Sequence, residues 1–228
     1  MTALADDDRR AALLQAQAKA LSLFEAIEAG GLIAAGRTER EVGDAIYALA
    51  QERFGVAQHW HNRVVRAGPN TLTGFFDMPD DRTIAADDNV YIDLGPVFED
   101  WEADIGRTYA LGEDPERRRL VADLPRVFER VQAHYHATPA ITGAELYAFA
   151  QAEAAAAGWL FGGVIAGHLV GEFPHRPWPI ERKEVVIAPV NTEPMRKPDH
   201  LGRPRHWILE IHLVDQARTF GGFYEQLL

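Results

Sequence analysis

Apolar residues near helical spacing mark the start of the chain. From about Asp8 to Glu28, Leu13, Leu14, Leu21, Phe24 and Ile27 form a stripe, and Gly30-Gly31 ends it. A second helix is predicted from Thr38, which with Glu41 makes a T-x-x-E capping box. Each of those side chains satisfies an orphan N–H of the first turn. Val42, Ala45, Ile46 and Leu49 face inward, and Gly55 closes the helix. Strand-like segments follow at His61 to Ala67, Asn89 to Phe98 and Trp101 to Leu111. The loop between the first two is rich in Gly, Pro, Asp and Asn.

The same order then recurs. A helix is predicted from Pro115 to Ala137, with Pro115 suited to a first-turn position and Pro125 expected to kink it. Thr142 and Glu145 form a second capping box, 104 residues after the first, and open an Ala-rich helix ending at Gly158. Strands are expected at Val185 to Ala188, Trp207 to Val214 and Phe223 to Leu227, the last short because the chain ends there. This pattern predicts one α+β domain over residues 1–228, duplicated in halves of about 1–112 and 113–228. Its helices lie on one face of a curved, mainly antiparallel sheet.

Composition narrows the partners. The 228 residues carry 23 Lys+Arg against 34 Asp+Glu, a net charge of −11. That balance argues against nucleic acid, whose binding needs cations to neutralise phosphates, and against an anionic membrane surface. No apolar run approaches the roughly 20 residues of a membrane span, and the acidic N-terminus lacks a signal peptide's basic flank. A cytoplasmic location is the expectation. There is no cysteine, so disulfides, thiolate metal sites and cysteine nucleophiles are excluded, and any metal must use O and N ligands.

Several acids stand where hydrocarbon is expected. Asp93 and Asp104 lie in apolar strands. A hairpin turn centred on Phe98-Glu99 would oppose them directly, with Cβ atoms about 4.5–5.5 Å apart. Two like charges so placed repel, and a divalent cation between them reverses that sign. Glu210 and Glu225 are also flanked by apolar strand residues, a costly position unless paired or metal-bound. His212 shares the face of Glu210 by period two and reads as a core histidine. His168 and His175 lie seven apart in a Gly/Pro-rich segment whose small residues allow close approach to a ligand.

Asp93-Leu-Gly-Pro followed eleven residues on by Asp104-Ile-Gly-Arg-Thr, then Gly-His168-Leu-Val-Gly with His175 beyond it, resembles the pita-bread metallopeptidases. This is the family of methionine aminopeptidase, prolidase and Xaa-Pro aminopeptidase, and the prolidase-like branch is the nearer. The resemblance implies the pita-bread fold, in the build of a catalytic domain without a further N-terminal domain. It implies two divalent ions (Mn, Co, Fe or Zn) held by Asp93, Asp104, His168, Glu210 and Glu225. In that scheme Asp93 binds one ion through both oxygens, Asp104 and Glu225 bridge, and His168 and Glu210 complete the shells. A metal-bridging water attacks the peptide carbonyl, Glu210 shuttles its proton, and His175 hydrogen-bonds the substrate or stabilises the oxyanion. The implied partner is a short peptide or small amide substrate, with Xaa-Pro peptides among the candidates and a homodimer as one allowed assembly.

The chain departs from that pattern in two places. The family's loop histidine, a few residues after Gly-Pro-Asn, falls near Phe75 here. His59 and His61 precede the loop and are not assigned its role. The Glu-Pro dipeptide typical of the fourth ligand occurs at Glu193-Pro194, where no strand surrounds it, so Glu193 is read as a loop acid. Two other functions remain open: a creatinase-like C–N hydrolase acting on a small metabolite, suggested by Phe75 with Trp60 and Phe76, and a pita-bread binding module without catalysis.

Overall fold

A computed structural model describes residues 6–75, 77–174 and 183–228. Helix α1 spans Asp6–Ala29 and α2 spans Glu39–Phe54; the Thr38 box forms in both directions and Gly55 caps the end with φ 65°. Strands β1 (Val64–Ala67), β2 (Asn89–Leu94), β3 (Val97–Phe98), β4 (Trp101–Glu102) and β5 (Ile105–Ala110) follow. In the second half come α3 (Pro115–Ala137), α4 (Gly143–Ala156), β6 (Leu160–Phe161), β7 (Gly167–Val170), β8 (His206–Val214) and β9 (Gly221–Leu227). The Thr142–Glu145 box caps α4, and α3 runs unbroken through Pro125.

The main sheet is antiparallel, in the order β1-β2-β5-β9-β8, with β6 and β7 each pairing with β8. The order is nearly palindromic: three strands of the first half meet their counterparts at the β5–β9 seam. Residues alternate across the sheet as strand geometry requires. On one face Ile92, Leu94 and Ile105 join a core with α1 and α2, while Leu209, Ile211 and Leu213 join a second with α3 and α4. The opposite face carries Asp93, Tyr91, His212, Glu210, Phe223 and Glu225. The fold is thus the mixed helix and antiparallel-sheet arrangement expected from the sequence.

Three local expectations differ. The hairpin turns at Glu99-Asp100, both with positive φ (51° and 71°), so its register is two residues off the expected one and Asp93 faces Gly106. A two-residue turn with both central residues left-handed matches the twist of its strands. Val185 to Ala188 forms no strand: Lys183–Val185 is a 3-10 turn and Val186 makes a single bridge to His168. Pro189 has no N–H with which to continue a ladder. Strand β1 starts only at Val64, β6 and β7 are two and four residues long with little sequence signal, and β9 spans seven residues.

Each capping box satisfies two backbone groups, so Thr38→Ala and Thr142→Ala should each cost about 1 kcal/mol, a fall of roughly 2–4 °C in Tm for a chain of this size. Thermal unfolding of the two variants checks this; unchanged Tm in both would contradict it.

Candidate metal centre

One row across the sheet builds the site. Asp93 on β2 faces Gly106 on β5, Gly106 faces Glu225 on β9, and Glu225 faces Glu210 on β8. Three carboxylates thus share one line, interrupted by a glycine. A Cβ on Gly106 would lie 2.5 Å from the Phe223 ring and 3.1 Å from the Glu225 Cβ, so this residue must lack a side chain for β9 to close on β5. Asp104 precedes Gly106 by two residues on the same face, diagonal to Asp93 rather than opposed to it.

His168 enters from β7. Its Nε2 lies 3.1 Å from Asp104 Oδ2, 3.5 Å from Glu210 Oε1 and 4.0 Å from Glu225 Oε1. The five ligand candidates read from the sequence therefore converge. The side chains of Asp93, Asp104 and Glu225 are 10%, 2% and 3% exposed, while that of Glu210 is the more open at 16%. Glu193 stays in an exposed loop, paired with Lys197 at 2.7 Å. His212 is buried and donates Nε2–H to the Thr71 carbonyl at 2.8 Å, which ties the loop after β1 to β8. His175 and Phe76 lie outside the described residues.

His61 joins this set although no role was expected of it. Its Nε2 lies 3.2 Å from Asp104 Oδ1 and 3.4 Å from Asp93 Oδ1. The segment before β1 runs antiparallel to Gly95–Val97, with Trp60 N donating to Gly95 O at 2.9 Å and Val97 N to Gln58 O at 3.0 Å. That pairing carries His61 over the end of β2. Phe75, at the expected loop-histidine position, packs edge-on against the His61 ring at 5.4 Å. The only hint in the sequence is a histidine three residues before an apolar strand, a signal too common to single it out.

Charge is the dominant problem here. Burial pushes Asp93 up to about 7, against the pull of His61 and with the push of Asp104. Burial likewise lifts Glu210 to about 7, and burial plus the Asp104, Asp93 and Glu210 charges hold Glu225 well above the carboxylate range. Burial would also raise Asp104, but hydrogen bonds from His168 and His61 outweigh it and hold its carboxyl low. For His61, burial is overcome by Asp93 and Asp104, whose charges raise it to about 9.

Hard O and N donors of this kind suit a divalent cation. Two overlapping triads, His61–Asp93–Asp104 and Asp104–His168–Glu225, each have donor atoms within 4.8 Å of one another. Asp104 belongs to both, with Oδ1 toward His61 and Oδ2 toward His168. Among the described residues, Glu225 Oε2 and Asp93 Oδ1 are buried without a hydrogen bond, which leaves acceptor capacity for a cation. The residues fit the ion pair that the sequence resemblance implies.

A sequence profile of metallopeptidase family M24 matches residues 10–197. The chain belongs to this family. Glu210 and Glu225 lie beyond the matched stretch, so their convergence with the other three residues is read from the sheet alone. The Xaa-Pro dipeptidase of Lactobacillus delbrueckii subsp. lactis is 31% identical over 111 residues, 49% of this chain and 30% of that protein. Among solved structures, the Thermotoga maritima X-Pro aminopeptidase matches with TM-score 0.72 and 22% identity, over 97% of this chain and 58% of its own. The Thermococcus sibiricus prolidase matches with TM-score 0.71 and 21% identity, over 97% and 56%. The M24 chain thus shares their pita-bread fold and spans little more than half of those structures and under a third of the dipeptidase.

Raised carboxyl pKa values give the metal-free protein a defined pH dependence. A group bound to its proton more tightly when folded contributes stability below its unfolded pKa and loses it as pH rises through the folded one. Asp93 and Glu210 lose it through about 7, and His61, also raised, through about 9. A cation offsets that loss, so excess Mn²⁺ should raise Tm more at pH 8 than at pH 6. Equal increments at the two pH values would contradict this assignment.

Proposed function

We propose that this M24 chain is a dimetal-dependent hydrolase of short peptides, an aminopeptidase or dipeptidase with Xaa-Pro peptides among its substrates. The observation that carries this reading is the single Asp104 carboxyl divided between two donor triads, one oxygen to each. Asp93, Asp104, His168, Glu210 and Glu225 would hold the ions. When bound, such ions supply Lewis-acid polarisation of a carbonyl and acidify a water molecule.

The chain's own residues do the rest. Glu210 is the most open of the carboxylates, which suits it to take a proton from water and return it to the leaving amine. His175 is assigned to the substrate carbonyl or its oxyanion, as in the family it resembles. Trp60, 5.3 Å from His168 by ring centroids, and Phe75 supply an apolar rim suited to a small side chain or a proline ring.

The test is release of the N-terminal residue from a panel of short peptides, Xaa-Pro dipeptides included, with Mn²⁺, Co²⁺, Fe²⁺ or Zn²⁺. Activity with at least one metal and its loss on chelation is expected; no turnover with any would refute the reading. Glu210→Gln should lower kcat by about 10²–10⁴-fold, the range for a positioned proton shuttle, beyond any fall in metal content. Phe75 in place of the loop histidine favours a second reading, hydrolysis of a C–N bond in a small amide or guanidino compound. Peptides inert in the panel while such a compound is cleaved would select it.

A further inference from the structure

We propose that His61 is itself a metal ligand, the imidazole donor to the ion held by Asp93 and Asp104. This rests on the dimetal reading above and extends it: the centre would be held by two histidines and four carboxylates, not by one histidine and four.

The first support is the orientation of the ring. His61 Nδ1 lies 2.7 Å from the carbonyl of Asn62, the next residue. His168 Nδ1 lies 2.8 Å from the carbonyl of Leu169, also the next residue. A carbonyl only accepts, so in both rings Nδ1 donates to it and Nε2 faces the acids, free to give up its own proton for a bound cation. A metal-binding histidine commonly anchors its second ring nitrogen in this way, which fixes tautomer and orientation. His61 therefore has the arrangement of the histidine that the family pattern already assigns to metal.

Spacing is the second support. Two donors each about 2.0–2.2 Å from one ion lie about 2.8–3.6 Å apart at octahedral or tetrahedral angles. His61 Nε2 is 3.2 Å from Asp104 Oδ1 and 3.4 Å from Asp93 Oδ1, and His168 Nε2 is 3.1 Å from Asp104 Oδ2.

The backbone around His61 is also shaped for it. A Cβ on Gly95 would fall 2.3 Å from His61 Cδ2 and 2.5 Å from His61 Nε2, so the glycine of Asp-Leu-Gly-Pro leaves the space that the ring fills. Trp60 at 4.5 Å and Phe75 at 5.4 Å close the sides by edge contacts, and only 5% of the His61 side chain is exposed. Finally, the sheet order sets His61 opposite His168. His61 approaches beside β1, the neighbour of Asp93-bearing β2; His168 sits on β7, the neighbour of Glu210-bearing β8. The two histidines are 107 residues apart, close to the 104 that separate the capping boxes.

The alternative is that His61 serves only as a cationic partner of Asp93 and Asp104. Cobalt(II) alone, titrated anaerobically into the full chain, separates the two. A cobalt-bound imidazole gives a hyperfine-shifted N–H resonance in the proton spectrum that vanishes in D₂O. If His61 ligates, the wild type shows at least two such resonances, and His61→Gln loses one while binding one Co²⁺ at least about tenfold more weakly. The wild-type count needs no variant, so a His61→Gln protein that failed to fold would leave the proposal open to refutation. One resonance in the wild type, or Co²⁺ affinity unchanged or tighter in His61→Gln, would overturn His61 ligation while leaving the dimetal reading intact. No Co²⁺ uptake by the wild type, with no shifted signal at all, would overturn both.

Discussion

Four carboxyl groups pressed into one face of a sheet repel one another, and the hydrocarbon around them removes the water that would screen the repulsion. Moving a carboxylate into such surroundings costs several kcal/mol per ion even after relaxation. Glu225 and Glu210 are directly cross-paired, and Asp93 is separated from Glu225 by a glycine alone. Nothing in the local sequence preference of these strands would bring such residues together. They are held there because the other face of the same strands seals two cores, with Ile92, Leu94 and Ile105 under α1 and α2 and Leu209, Ile211 and Leu213 under α3 and α4.

That division of labour explains the glycines. Gly106 has no side chain because Phe223 and Glu225 need its place. Gly95 does the same for the ring of His61. In the family pattern these two glycines follow the first and second acids; here each lets a neighbouring donor approach. In the empty site the imidazoles of His61 and His168 on either side of Asp104 supply part of the missing positive charge; bound cations would take over that role, with both rings neutral. The site is therefore least stable when empty and fully ionised.

Much of this could be read along the chain. The apolar stripes, the two capping boxes and Pro115 located the four helices, because each is a local device whose partners lie within a few residues. The acids inside apolar strands were conspicuous for the same reason: burial of a charge is visible in its flanks. The Glu99-Asp100 turn was not, since Asp100 tolerates left-handed backbone but Glu99 is an unusual choice for it, and the register followed from the turn. Strands β6 and β7 are too short to show a period. His61 carries no local mark, because its significance depends on Gly95 and Asp104, which lie 34 and 43 residues away.

By itself, then, the order of residues determined the helices, the fold class, the family and the four acids and one histidine of the expected ligand set, since each rests on local periodicity or a contiguous motif. Only the tertiary structure decided that Asp93, Gly106, Glu225 and Glu210 form one row, that Asp104 lies diagonal to Asp93, and that His61 faces both. Those are matters of strand register, and register is settled by turn geometry and by which faces the two cores bury.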